Sequence, residues 1–206
     1  MTGAAVSRLF NTARRTAAYR GQMQHHRILT LAAEPITEVL GSLRADQFDL
    51  PTPCAEFTVR QLVEHLIEWG PALEGAARKE FLPPSPGPAD AEALLAQIDR
   101  LVRAWGRAEA WQGMTRVGGP TEFPAEFAGG MVLGELVVHG WDLARAVSWS
   151  PQWNDEVLLP LHGILVETAQ LGRDMGVYAA RVEVPDESST VDKVLGLTGR
   201  DPGWRA

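Results

Sequence analysis

The sequence predicts an all-α protein: a helix bundle carrying a short C-terminal appendage. Two observations point there. Five stretches place apolar residues three and four positions apart, and proline- or glycine-rich punctuation separates them. A length of 206 residues allows one domain with a real core and is short for two, so residues 26–206 are expected to fold as a single domain. No internal repeat and no glycine-rich phosphate fingerprint breaks this pattern.

The first helix is expected from about His26 to Leu43, with Ile28, Leu31, Ala32, Ile36, Val39, Leu40 and Leu43 at helical spacing. Pro35 lies inside it and predicts a kink. The connector Asp49-Leu-Pro-Thr-Pro-Cys-Ala-Glu-Phe57 cannot continue the helix past its two prolines. Thr58 with Gln61 three residues on is a capping-box signal opening a second helix to about Arg78. After the break Phe81-Leu-Pro-Pro-Ser-Pro-Gly-Pro88, a third helix is expected from Asp90 to about Ala110, carrying Leu94, Leu95, Ile98, Leu101, Val102 and Trp105. Residues 111–124 are expected to form a long loop with short extended pieces, of the kind that borders functional sites. A fourth helix should span Ala125 to Val147, and a fifth Asn154 to about Arg173, with Val157, Leu158, Leu161, Leu165, Thr168 and Leu171 on one side. The tail holds a strand-like Arg181-Val-Glu-Val184 and a capped helical turn from Ser189 to Leu197, and it finishes in Gly199-Arg-Asp-Pro-Gly-Trp204.

Composition narrows the function classes. Hydrophobic residues make up 45% and charged ones 22%, as in ordinary soluble proteins. No apolar run approaches the roughly 18 residues of a membrane span. Cys54 is the only cysteine, which excludes an intramolecular disulfide and a thiolate zinc cluster and fits a reducing, cytoplasmic setting. The net charge of −7 hides an asymmetry: residues 1–27 hold five arginines and no acid, leaving 14 basic against 26 acidic groups beyond them. An acidic body repels phosphate backbones, so nucleic acid is not an expected partner. Residues 1–25 are expected to be a disordered basic leader; a transit peptide and a true start at Met23 are the alternatives. The seven tryptophans are expected to line core and pocket, and an apolar, tryptophan-rich surface admits a homodimer without locating an interface.

The residues that carry chemistry sit in Gly134-Glu-Leu-Val-Val-His-Gly-Trp-Asp-Leu-Ala-Arg-Ala146. Helical spacing sets Glu135, His139 and Asp142 in one row. Leu133, Leu136, Val137, Trp141, Ala144 and Val147 share the opposite face, and Met131, Val132, Val138 and Leu143 flank the row, so the helix is apolar nearly all round. Such a helix is usually buried, and polar groups in a buried seam need partners. Two readings stand side by side: the seam faces water, or it grips a divalent metal. His65, on the border of the apolar arc of the second helix, completes a set of two histidines and one carboxylate with Glu135 and His139. With positions left open for water or substrate, that set suits catalytic zinc and also non-haem iron(II). Asp142 would then orient an imidazole or a bound water. His162 is expected at the core edge, His25 and His26 as adventitious chelators in the leader region, and Cys54 as a structural residue, although a helix N-terminus next to it could lower its thiol pKa.

Leu50-Pro-Thr-Pro-Cys-Ala-Glu-Phe-Thr-Val-Arg-Gln-Leu-Val-Glu-His65 and Gly134-Glu-Leu-Val-Val-His-Gly-Trp-Asp-Leu-Ala144 together resemble the mycothiol-dependent maleylpyruvate isomerase N-terminal domain family of the DinB-like superfamily. The tail Val194-Leu-Gly-Leu-Thr-Gly-Arg-Asp-Pro-Gly-Trp204 is similar to an actinobacterial branch whose members mostly lack an assigned activity. The resemblance implies a four-helix up-and-down bundle with a divalent metal, usually zinc, near one end. The family's ligands, a histidine on the second helix and a Glu-x-x-x-His pair on a later one, fall on His65, Glu135 and His139. It further implies a low-molecular-weight thiol of the mycothiol type as cosubstrate, bound as thiolate. The isomerase proper has a further C-terminal domain with substrate-binding residues, and these 206 residues leave no room for one. The metal fold therefore carries over, and maleylpyruvate as substrate does not. The expectation is a metal-dependent thiol S-transferase or isomerase acting on a small electrophile; the competing one is a non-catalytic metal-binding bundle serving as a ligand-binding or interaction module.

Overall fold

The computed structural model describes residues 24–205, so most of the expected leader lies outside the described residues. The described chain is all-α apart from one small hairpin, as expected. Helix α1 covers 24–42, followed by a 3-10 turn at Ala45–Gln47. Then come α2 (Val59–Ala77), α3 (Ala91–Trp105) and a second 3-10 turn, Ala108–Trp111. Strands β1 (Met114–Arg116) and β2 (Glu122–Pro124) pair antiparallel, with Thr115 opposite Phe123. Helix α4 (Ala125–Gly134) runs into a π-helical turn, Glu135–His139, and on into α5 (Gly140–Ala146). Helices α6 (Asp155–Asp174) and α7 (Thr190–Leu197) complete the fold. Among the described residues no helix is long and apolar enough to cross a membrane.

Local chemistry accounts for the starts. Thr58 and Gln61 form the expected capping box, the Gln61 Oε1 accepting from the Thr58 N–H at 2.9 Å. Asp90 caps α3 by accepting from the N–H groups of Glu92 and Ala93. Proline proves less disruptive than the sequence predicts. The backbone stays helical through Pro35, Pro71 and Pro160. A proline inside a helix costs about 3 kcal/mol. Around Pro35 the fully buried Ala32, Ile36 and Val39 supply packing of that order, since burying one Val or Ile side chain contributes about 1.5–3 kcal/mol.

The core lies between α1, α2, α3 and the α4–α5 run, with α6 closing one side. One connection refines the up-and-down order. The segment after α2 retraces it, Ser85 donating its N–H to Glu68 O at 2.8 Å. Gln97 Nε2 then donates to Leu66 O at 2.6 Å, and Trp105 Nε1 to Leu73 O at 2.9 Å, so α2 and α3 run in the same direction. Trp153 Nε1 ties the approach to α6 onto α1 through Ala32 O at 3.0 Å.

The short extended pieces expected within residues 111–124 are the two strands of the hairpin, which follows the 3-10 turn and is held by Trp111 Nε1 on Trp105 O (2.7 Å) and by Thr115 Oγ1 on Ala76 O (2.7 Å). One further expectation changes. The strand-like Arg181–Val184 segment forms no strand, because its neighbour is a helix end: Val182 donates its N–H to Gly196 O at 3.0 Å.

Gly172 on α6 lets the Tyr178 ring lie flat against the helix, and a Cβ there would overlap the ring. Helical Gly→Ala substitutions ordinarily stabilise by up to about 1 kcal/mol. Gly172→Ala is expected to do the reverse, costing about 1–3 kcal/mol through overpacking, read as a lower midpoint in urea denaturation.

Candidate metal centre

The α4–α5 run carries three of the four polar side chains that matter, and the π turn lies where two of them are. Glu135 and His139 are its first and last residues, and Asp142 follows in the first turn of α5. Single π turns inside α-helices recur at functional sites. Gly140 follows the π turn, and its missing side chain lets Ile36 of α1 approach to 3.1 Å of where a Cβ would sit. His65 comes from the second turn of α2, beside the ordered connector. Thr52, itself buried, accounts for that order: its Oγ1 donates to Cys54 O (3.0 Å) and Phe57 O (2.7 Å). Phe57 in turn lies against the His65 ring, centroids 5.1 Å apart.

The seam does not face water. The Asp142 side chain has no exposure, His139 has 12% and Glu135 21%. The row turns inward to a cavity of about 270 Å³ shared with His65. There Glu135 Oε2 lies 3.7 Å from His65 Nε2 and 3.5 Å from His139 Nε2, and the two imidazole rings meet edge to face with centroids 5.3 Å apart. Both separations exceed hydrogen-bond length, so this buried carboxylate oxygen has no hydrogen-bond partner. Three donors bound to one tetrahedral cation at about 2.0–2.1 Å stand roughly 3.3 Å from one another. The separations of Glu135 Oε2 from His65 Nε2 and His139 Nε2, 3.7 and 3.5 Å, are close to that spacing, and the three donors form one cluster. An orphaned carboxylate oxygen between two imidazole nitrogens fits a divalent cation.

A second cluster, Cys54, His139 and Asp142, meets the same spacing. It is the poorer cation site, because Asp142 is already engaged. Its Oδ2 lies 3.0 Å from His139 Nδ1 and accepts from Arg200 NH2 at 3.1 Å. A cation there would meet the guanidinium at close range.

The charges shape the local acidities. Burial pushes the Glu135 carboxyl up, but His139, His65 and the more distant Arg200 outweigh it, and the group is held below the usual carboxylate range. Burial pulls the His65 imidazole down; Glu135 beside it reverses the sign and leaves it above its ordinary value. The Cys54 thiol is pushed up, chiefly by burial and against the pull of Arg200, so the expected lowering by a helix N-terminus does not prevail. Burial, with Glu135 nearby, pushes the Tyr178 phenol up to about 12.

The structure brings together His65, Glu135, His139 and Asp142. It leaves the other histidines elsewhere: His25 stacks on Trp111, and His162 lines a separate cavity beside Arg181 and Lys193. No residue of the 111–124 segment lines the cavity, contrary to expectation; Gly118 packs against Trp69, which does. In its place the wall is built by Cys54, Phe57, Tyr178 and Arg200.

Comparison with known proteins matches the family model "Mycothiol maleylpyruvate isomerase N-terminal domain" over residues 29–144. The chain belongs to that family. Two uncharacterized proteins of Mycobacterium tuberculosis, from strains CDC 1551 / Oshkosh and ATCC 25618 / H37Rv, are each 27% identical over 192 residues, covering 86% of this chain and 96% of the relative. These distant mycobacterial relatives support an actinobacterial membership of the family, and the all-α architecture is consistent with a DinB-like fold. No solved structure matches the chain. The mycothiol maleylpyruvate isomerase N-terminal domain match contains His65, Glu135, His139, Asp142 and Cys54, and it ends before Tyr178 and Arg200. Helical spacing had no means of finding those two. The one signal was the tail motif Gly199-Arg-Asp-Pro, whose arginine otherwise resembles a solvated turn residue.

Tyr178 gives a direct check on the cavity wall. A spectrophotometric titration should show one tyrosine ionising only near pH 12, and Tyr178→Phe should remove that late step. Ionisation of Tyr178 near pH 10 would mean that the phenol is hydrated.

Proposed function

We propose that this protein is a divalent-metal-dependent enzyme, most simply with zinc, that uses a low-molecular-weight thiol of the mycothiol type. The reaction is S-transfer to a small electrophile or isomerisation of one. The observation that carries the reading is the orphaned Glu135 Oε2 between His65 Nε2 and His139 Nε2 at a cavity floor. His65, Glu135 and His139 would hold the cation, and Asp142 would orient His139. A bound divalent cation favours the deprotonated form of a thiol and so supplies a nucleophile at neutral pH.

The chain's own groups do the rest. Phe57, Trp69, Leu73, Met131 and Val138 line the cavity and exclude water from it. At about 270 Å³ the space is at the lower end for small-molecule sites, sized for a small electrophile and the cysteinyl end of a larger thiol. Tyr178 keeps its proton far above neutral pH and can donate a hydrogen bond to a substrate oxygen. The thiol sulfur either adds to an activated carbon–carbon double bond, whose π bond breaks as the C–S bond forms and whose far carbon takes the thiol proton, or displaces a leaving group, whose bond to carbon breaks and which departs with that proton. Retaining the bond gives S-transfer; eliminating the thiol after rotation gives isomerisation. Small molecules, and not nucleic acid, are the partners that suit a body carrying 14 basic against 26 acidic groups beyond residue 27. The lone Cys54 suits a cytoplasmic, reducing setting.

Elemental analysis of protein purified without a His-tag should find about one divalent ion per chain. His65→Ala, Glu135→Ala and His139→Ala should each lower metal affinity at least about 100-fold, with helicity retained by circular dichroism. Sub-stoichiometric metal that His139→Ala leaves unchanged would refute the site. The metal-loaded protein should consume thiol in the presence of a model electrophile, and His65→Ala should not. Full metal occupancy without turnover of any thiol would favour the non-catalytic binding module.

A further inference from the structure

Arg200 stands 58 residues beyond Asp142 in sequence and outside the family match, yet it is buried against the candidate metal centre. Its side chain is 6% exposed and that of Asp142 0%. A guanidinium and a carboxylate taken out of water together are tolerated only when their hydrogen-bonding groups are satisfied. Here they nearly are. Arg200 NH2 and Nε face Asp142 Oδ2 at 3.1 and 3.4 Å, and NH1 donates to Thr198 O at 2.8 Å. The same Asp142 Oδ2 lies 3.0 Å from His139 Nδ1.

This arrangement fixes more than the tail. A guanidinium offers donors only and stays protonated. The carboxylate facing it is therefore an acceptor, and toward His139 it can only accept. His139 must carry its hydrogen on Nδ1, which leaves the Nε2 lone pair facing Glu135 Oε2 and the cation set.

The backbone places Arg200 with care. Thr198 Oγ1 donates back to Val194 O and Leu195 O, closing α7. Gly199 then takes φ +81°, where a Cβ would come within 2.7 Å of the Ala179 Cβ and 2.9 Å of Ala180 O. The Arg200 N–H returns to Leu195 O at 2.9 Å.

We propose that Arg200 is a positioning residue of the metal centre: through Asp142 it locks His139 in the Nδ1–H tautomer and aims Nε2 at the cation. This rests on reading His65, Glu135 and His139 as metal ligands. A residue that merely anchored the tail would leave the imidazole of His139 free to choose its tautomer. Arg145, which holds the tail by donating to Trp204 O at 2.9 Å, provides that comparison.

The test has two readouts, the zinc Kd by chelator competition and the His139 tautomer by long-range ¹H–¹⁵N NMR on chelator-treated protein. Wild type should show the Nδ1–H tautomer before any zinc is added. Arg200→Gln should weaken zinc about 10- to 100-fold and mix the tautomers, whereas Arg145→Gln should do neither. An unchanged Kd and tautomer in folded Arg200→Gln, or equal losses in both variants, overturns the proposal. Should Arg200→Gln fail to fold, wild type decides alone: an Nε2–H or mixed population overturns the proposal and a pure Nδ1–H population supports it. Failure of wild type to bind zinc instead removes the metal reading, and the tautomer comparison still decides what Arg200 does.

Discussion

The α4–α5 run is apolar nearly all round, and Glu135, His139 and Asp142, which it turns inward, must be satisfied largely without bulk water. Most of the architecture near the site answers that constraint. Asp142 is enclosed and is met by Arg200 from the tail and His139 from one turn earlier. His139 is ordered by Asp142 on one edge and approached by His65 on the other. Glu135 alone ends with an oxygen that no protein donor reaches. A buried polar atom without a partner costs about 1–3 kcal/mol, more when it is charged. One such atom, 3.5 and 3.7 Å from two imidazole nitrogens, is better explained by a ligand than by tolerance.

Spacing alone brought Glu135, His139 and Asp142 into one row, because residues three and four apart are neighbours on any helix. The same spacing left their direction undecided between water and interior. Burial decided it, and burial depends on α2, α6 and the tail closing around the seam. The π turn was not legible at all. Apolar residues surround Glu135–His139 on every side, so one extra residue in a turn leaves no mark on the hydrophobic pattern. Capping signals were read correctly at Thr58 because they are local. Short extended pieces are legible within residues 111–124, but their pairing as a hairpin is not, because contacts such as Thr115 Oγ1 on Ala76 O hold it and not an alternating pattern of its own.

The tail shows the limit of local reading most clearly. Gly-Arg-Asp-Pro would ordinarily place its arginine in solvent. It is buried because the turn at Gly199 directs it inward and because Asp142, 58 positions earlier, cannot be hydrated. Tyr178 is a similar case, its position set by the absence of a side chain at Gly172. Both residues complete a cavity whose floor belongs to the family-matched region. The residues that line the cavity therefore extend past those that the family model matches.

What distinguishes a reactive metal site from a closed, structural one is an open coordination position. As metal ligands, His65, Glu135 and His139 would supply three donors, one short of a tetrahedron. Cys54 is the group that could close it, and its thiol shares the cavity. Yet Cys54 clusters with His139 and Asp142, not with His65 and Glu135, and burial pushes its thiol pKa up. Arg200 strengthens this separation by occupying the carboxylate that would otherwise draw a cation toward the sulfur. If His65, Glu135 and His139 hold a cation, the position left open belongs to the cavity that Phe57, Trp69 and Tyr178 also line, where a small molecule would have to enter.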